Sequence, residues 1–287
     1  MTSVFTTSRD IDLLTSLVMA PLTTAQLLKL SQTFASGPFR SPRTLLDRLQ
    51  RLAAGGFVRR FPLAIAPAHG GGVSHYYKVT PSGLRLIYGE DARPPSKQFF
   101  APVAVARHHH THCLSDFLVT TAAAAHKRGL RMHDVHPENT LVLDINGERL
   151  LPDARFDLLG SAGRFRFLIE QDCSTETIRS AKHDDTIHRK LRLHDAHQDQ
   201  APERHRVVFV SSRSRERLVN ILAAAASVVR NLERTLFLGV YLPDYVNAAD
   251  PVGEELFLDH RGRRHALLPK VAPSSGPADS LALTTSL

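Results

Sequence analysis

Three acidic residues carry the chemistry most visible in this chain. Asp153, Glu170 and Asp172 lie within 150–176, where two strand-like runs, 150–159 and 164–171, flank Gly160-Ser161-Ala162-Gly163. Such a glycine-rich break between apolar runs signals a hairpin. Strand side chains alternate, so Glu170 and Asp172 share a face and Gln171 points away. Asp153, early in the neighbouring strand, is expected to join them. Three carboxylates converging from adjacent strands form an oxygen-ligand set for a hard divalent cation such as Mg²⁺.

The remaining elements decide what such a site would act on. The net charge of +8 is uneven: residues 1–95 hold 11 Lys and Arg against 5 Asp and Glu, and the remainder hold 25 against 23. A basic N-terminal third favours a polyanionic partner. Within it, 8–20 reads as a helix with Ser8 as N-cap. Thr23-Thr24-Ala25-Gln26 reads as a capping box opening a short helix through Leu30. Ser41 and Pro42 supply N-cap and first turn for a third helix that stops at Gly55-Gly56. Strands at 57–63 and 74–79 then flank Gly70-Gly71-Gly72, and Thr80-Pro81 opens a helix through Tyr88. Three helices, a hairpin and a helix is the order of a winged helix-turn-helix domain, expected over 1–90. Arg43, Arg48 and Arg51 on the third helix suit a major groove. Arg59, Arg60, His75 and Lys78 on the hairpin suit phosphates.

The proline-containing stretch 91–102 reads as a linker. A second domain is expected over 103–268. It opens with a long helix, 103–128, that carries His108-His109-His110-Thr111-His112. His108 and His112 are four apart on one face, as metal ligands can be, but no glutamate completes an HExxH motif. The tract reads instead as facing solvent or phosphate. Strand character at 131–143, a hairpin turn at Asn146-Gly147, a polar helix at 178–197, a buried strand at 206–211, a helix at 214–232 and a strand at 235–242 give an α/β order with parallel crossovers. An edge hairpin is expected around Arg261-Gly262. The Ser-, Pro- and Ala-rich stretch 269–287 reads as a disordered tail. The chain holds two cysteines and no apolar run of membrane-spanning length, so a soluble protein of a reducing cytoplasm is expected.

Two resemblances rest on these residues. The order Pro152-Asp153, hairpin, Glu170-x-Asp172 is similar to the PD-(D/E)xK nuclease core, and 103–242 resembles the restriction-endonuclease-like fold. That core carries a lysine where this chain has Asp172. The resemblance therefore leaves Lys182 or Lys190, on the following helix, to supply the cation beside a Mg²⁺ held by Asp153, Glu170 and Asp172. More specifically, 8–200 resembles the replication-relaxation family of plasmid and mobile-element proteins. The matching residues are Arg9-Asp10, Thr24-x-Gln26-Leu27, Tyr77-x-Val79-Thr80-x-x-Gly83, His112-x-Leu114 with Asp116, Pro152-Asp153, Glu170-x-Asp172-x-x-Thr175-Glu176 and Lys190-Leu191. Gln171, Cys173-Ser174 and His194 depart from the family pattern. The resemblance implies DNA binding connected with plasmid replication and relaxation of supercoiled DNA. Its implied partners are double-stranded DNA, a second copy of the chain, and a relaxase or replication protein. Two other classes fit the same residues: a metal-dependent endonuclease or nickase, and a transcriptional repressor whose second domain dimerises or senses.

Overall fold

The computed structural model of the chain describes residues 6–65, 74–96, 98–161, 163–174, 177–178 and 186–268. Helix α1 (Ser8–Met19) starts one residue earlier than its sequence suggests, because Thr7 rather than Ser8 is the N-cap. The Asp10 carboxylate at the third helical position reaches back to accept from both the backbone N–H and the hydroxyl of Thr7, at 2.6 and 2.8 Å. Strand β1 (Leu22–Thr23) leads into α2 (Thr24–Leu30). There Thr23 and Gln26 form the expected reciprocal cap, Thr23 N–H donating to Gln26 Oε1 at 2.8 Å. A 3₁₀ turn (Ser31–Thr33) precedes α3 (Pro42–Ala54), which Ser41 caps through the Thr44 N–H at 3.2 Å. Leu45, Leu49 and Leu52 form the buried stripe of α3.

Strands β2 (Val58–Pro62) and β3 (His75–Val79) pair antiparallel from Val58↔Val79 to Pro62↔His75. With β1 they form a three-stranded sheet of order β1-β3-β2. The triglycine between them lies outside the described residues. Helix α4 (Pro81–Tyr88) follows, capped by Thr80. Gly83 cannot be replaced cheaply: a Cβ there would lie 2.2 Å from the Phe57 carbonyl oxygen. After a 3₁₀ turn (Val105–Arg107) comes α5 (His108–Lys127), buried on nearly every side, as an apolar and alanine-rich helix without a wide polar face must be. Ser115 Oγ donates to the Pro21 carbonyl at 3.0 Å, and Lys29 Nζ to Thr120 Oγ1 at 2.7 Å. These bonds dock α5 on the turn before α2 and on α2 itself. Strand β4 (Arg131–His136) ends at Pro137, after which the chain divides into its second compact unit.

The second unit begins with the hairpin β5 (Leu143–Ile145) and β6 (Glu148–Leu150), turned by Asn146 and Gly147, both with positive φ. Asn and Gly tolerate that conformation, and the sequence pair signalled it. Strands β7 (Ala154–Gly160) and β8 (Gly163–Asp172) pair antiparallel from Ala154↔Ile169 to Gly160↔Gly163. Helix α6 (Ile187–Gln200) leads to β9 (Arg206–Ser211), and α7 (Arg215–Ala226) leads to β10 (Phe237–Tyr241). Both β8–β9 and β9–β10 are parallel pairs, so the expected crossovers form. Helix α8 (Leu242–Asn247) and the antiparallel strands β11 (Phe257–Asp259) and β12 (Arg264–His265) complete the unit. Its strands run β12-β11-β10-β9-β8-β7. Leu191, Phe209, Leu218, Ile221, Leu222 and Phe237 form its core.

Three helices differ from their expected extents. The helix expected over 103–128 is α5, which starts at His108 after the 3₁₀ turn. Of the helix expected over 178–197, residues 179–185 lie outside the described residues; α6 starts at Ile187, where the Thr186 hydroxyl caps the Arg189 N–H at 3.2 Å. The helix expected over 214–232 ends at Ala226, where Ser227 Oγ donates to the Ala224 carbonyl at 2.7 Å. Lys182 and the tail 269–287 lie outside the described residues.

Candidate functional site

The basic residues of the first unit do not form one uniform surface. Arg43 and Arg51 stand exposed on α3, and Arg59 and Arg60 stand exposed on β2. The Arg59 guanidinium lies 5.5 Å from the centroid of the Phe61 ring, within cation–π range. Arg48, between the exposed arginines of α3, is turned inward. Its Nε and Nη2 fork onto both oxygens of Asp10, whose side chain is wholly buried. Burial alone would raise the Asp10 pKa, but the bonds from Arg48 and Thr7 outweigh it and hold the carboxyl below its ordinary value. The guanidinium therefore ties α3 to α1. Lys78 on β3 donates to the Ala101 carbonyl at 2.6 Å and lies 6.0 Å over the Phe99 ring, fastening the linker to the hairpin.

His108 and His112 of α5 serve similar joints, and the tract does not face solvent as expected, since His108 and His110 are buried, although His109 is exposed. His108 Nδ1 accepts from the Ala64 N–H at 2.8 Å, and its Nε2 lies 3.1 Å from the Val103 carbonyl. That pattern needs the neutral tautomer with hydrogen on Nε2. Gln26 Nε2 donates to Asp116 Oδ1 at 2.8 Å and lies 3.2 Å from His112 Nδ1.

The carboxylates of the second unit are built by β8 and the bend before β7. Glu170 and Asp172 alternate with Gln171 along β8, as period two requires, and all three are buried. Asp153 lies one residue before β7, since Pro152 has no N–H to continue a ladder. Its own N–H donates to the Ile169 carbonyl at 2.9 Å, and its Oδ2 accepts from the Gln171 N–H at 2.8 Å. Glu170 accepts from Lys190 Nζ at 3.2 Å and lies 2.8 Å from His194 Nε2. Lys190 and His194 are one turn apart on α6. Asp172 receives the Arg217 guanidinium from α7, with Nε at 3.1 Å and Nη2 at 2.9 Å.

This arrangement neutralises each β8 carboxylate with a cation from a crossover helix. Lys190, one of the two lysines expected from sequence, reaches Glu170. Among the described residues, Asp153, Glu170 and Asp172 do not together form a group whose ligand atoms all lie within 4.8 Å of one another. A divalent ion shared by all three would have to draw them closer and compete with Lys190 and Arg217. Sequence reasoning missed Arg217 and the role of His194. A signal for each existed: the start of α7 follows β9, which runs parallel to β8, and His194 follows Lys190 by four residues.

Among the described residues, no helix is long and apolar enough to cross a membrane. A family model described as replication-relaxation matches residues 18–200, more than half of the chain. No curated protein and no solved structure matches it.

Proposed function

The chain belongs to the replication-relaxation family, and on that premise we propose that it acts in plasmid or mobile-element replication by binding double-stranded DNA through a winged helix over 1–90. One observation carries this reading. The succession α1-β1-α2-α3-β2-β3-α4, with sheet order β1-β3-β2, leaves Arg43 and Arg51 exposed on the third helix and Arg59 and Arg60 exposed on the following strand. A helix of this kind reads a major groove while the hairpin grips phosphate. Arg48 and Lys78, occupied by Asp10 and Ala101, act in this reading as supports of the binding face. In this reading the linker 91–102 leads to a restriction-endonuclease-like domain over 103–268, whose first helix α5 and strand β4 belong to the same compact unit as the winged helix. Partners of the assembly are a second copy of the chain and a relaxase or replication protein.

A second reading, a Mg²⁺-dependent endonuclease at Asp153, Glu170 and Asp172, draws support from Lys190 at 3.2 Å from Glu170, where it would help orient a water. The pairing of Asp172 with Arg217 weighs against it, so binding without cleavage is the reading adopted. Incubation with supercoiled plasmid and Mg²⁺ or Mn²⁺ separates the two. Unchanged supercoils together with retarded migration support binding alone, whereas nicked or linear product lost in Glu170→Gln supports the nuclease.

A further inference from the structure

At the end of β8 and β9 away from the carboxylates, the second unit has an open cleft of about 770 Å³. Arg164, Arg166, Arg204, Arg206 and Arg234 line it, with Phe165 on its wall. The register sets Arg206 beside Phe167 and Ser211 beside Asp172. Five residues of strand, about 16 Å, therefore separate the cleft from the carboxylate cluster.

The charges around this cleft do not balance. Its neighbouring carboxylates are already held. Glu203 pairs with Arg166 at 2.9 Å and Arg164 at 3.7 Å, and Asp157 pairs with the same two arginines. Asp199 is shared by Arg230 and Arg234, and Glu233 is taken by Arg261. Among the described residues, Arg204 and Arg206 have no carboxylate partner. Arg204 is exposed, but Arg206 is half-buried, and loss of water around its guanidinium lowers its pKa. His205 between them adds no positive charge. Burial, then the neighbouring His197 and His194, push its pKa down to about 3, so it is neutral at physiological pH. A desolvated guanidinium without a counter-ion is costly unless an anion from outside completes it. Paired arginine forks suit the oxygens of phosphate.

We infer that this cleft is a phosphate-binding site, with Arg204 and Arg206 as its ligands, for the phosphate of a nucleic-acid strand or of a free nucleotide. The cleft is larger than one phosphate needs, and Phe165 offers apolar surface beside the arginines for a base. The site does not depend on the winged helix, and its occupant can be single-stranded.

The test uses the full chain with Arg206→Gln and, as a variant whose exposed position cannot endanger folding, Arg204→Gln. Inorganic pyrophosphate is titrated calorimetrically, and a short labelled oligothymidylate is titrated by fluorescence anisotropy at several salt concentrations. The expected result is binding of at least one probe, weakened about tenfold or more in each variant, while the melting temperature of Arg206→Gln without ligand equals or exceeds that of the parent. Loss for the oligonucleotide, with the salt slope reduced by about 0.7 per phosphate contact removed, assigns the site to a strand. Loss for pyrophosphate with unchanged oligonucleotide binding assigns it to a free nucleotide. Failure of both probes to bind, or equal affinities in parent and variants, overturns the inference.

Discussion

Replacing Arg48 with Met tests whether this arginine holds the first unit together. The side chain keeps its length and its packing, but the fork onto Asp10 is lost. Asp10 is 0 % exposed, so it cannot recover water in exchange. Breaking a buried pair from one side costs about 3–5 kcal/mol. The lower end applies here, because the Arg48 side chain is 19 % exposed and Asp10 keeps two donors from Thr7. A loss of about 3 kcal/mol is therefore expected at pH 7. The pH dependence identifies the cause. In the parent, the folded-state pKa of Asp10 is depressed, so its contribution is present above the ordinary value of 3.8 and lost as pH falls through the lower folded value. In Arg48→Met only burial and Thr7 remain, the pKa rises, and protonation relieves the variant. The stability gap should narrow between about pH 6 and pH 3. Urea denaturation followed by circular dichroism at pH 7 and pH 4 measures both, and Asp10→Asn in the Arg48→Met background should recover part of the loss. A loss under about 0.5 kcal/mol, or one equal at both pH values, would show that Arg48 does not hold Asp10 in this way.

Gly83→Ala should cost more than about 2 kcal/mol, because its methyl group would meet the Phe57 carbonyl oxygen at 2.2 Å and the backbone has to move; a thermal melt within 2 °C of the parent, about what 0.5 kcal/mol would shift, contradicts this. Arg217→Met should destabilise the second unit by about 2–4 kcal/mol by leaving Asp172 buried and uncompensated. Asp172→Asn added to it should restore much of that stability, as chemical denaturation would show. His205, with its folded pKa near 3 against an ordinary 6.5, cannot take up the proton that the unfolded chain binds. Its contribution is thus intact above pH 6.5 and is lost as pH falls toward 3, by up to about 1.4 kcal/mol per pH unit. His205→Phe should flatten that slope in denaturation curves at pH 7, 6 and 5, and an unchanged slope places the acid sensitivity elsewhere.

Local features of this chain were legible because their physics is local. Thr23, Ser41 and Thr80 announced their helices through side chains that bond an N–H three residues on. Asn146-Gly147 announced its turn through φ values that few other residues tolerate. The alternation of Glu170 and Asp172 followed from strand geometry alone. What the sequence did not disclose was which cation meets which carboxylate. Arg48 lies 38 residues from Asp10, and Arg217 lies 45 from Asp172. Such pairs exist only once helices dock, and an exposed arginine has the same sequence signature as a committed one. Asp153 fell just outside its strand for a reason the sequence did contain, the missing N–H of Pro152. The cleft at Arg206 was invisible for the opposite reason, since an uncompensated charge is recognised only after every neighbouring carboxylate has been assigned.

Duplex binding through α3 and the β2–β3 hairpin is measured by duplex affinity against salt for the parent chain and for Arg59→Ala/Arg60→Ala. For the parent, log K should fall linearly with log salt, with a slope of about −0.9 per phosphate neutralised. The double variant should bind all sequences more weakly and lose up to about two such increments of slope. Arg51→Ala should instead reduce discrimination between sequences, by about 1–3 kcal/mol if it forks onto a guanine. Affinity independent of salt, or a slope unchanged when both hairpin arginines are removed, would contradict this mode of binding.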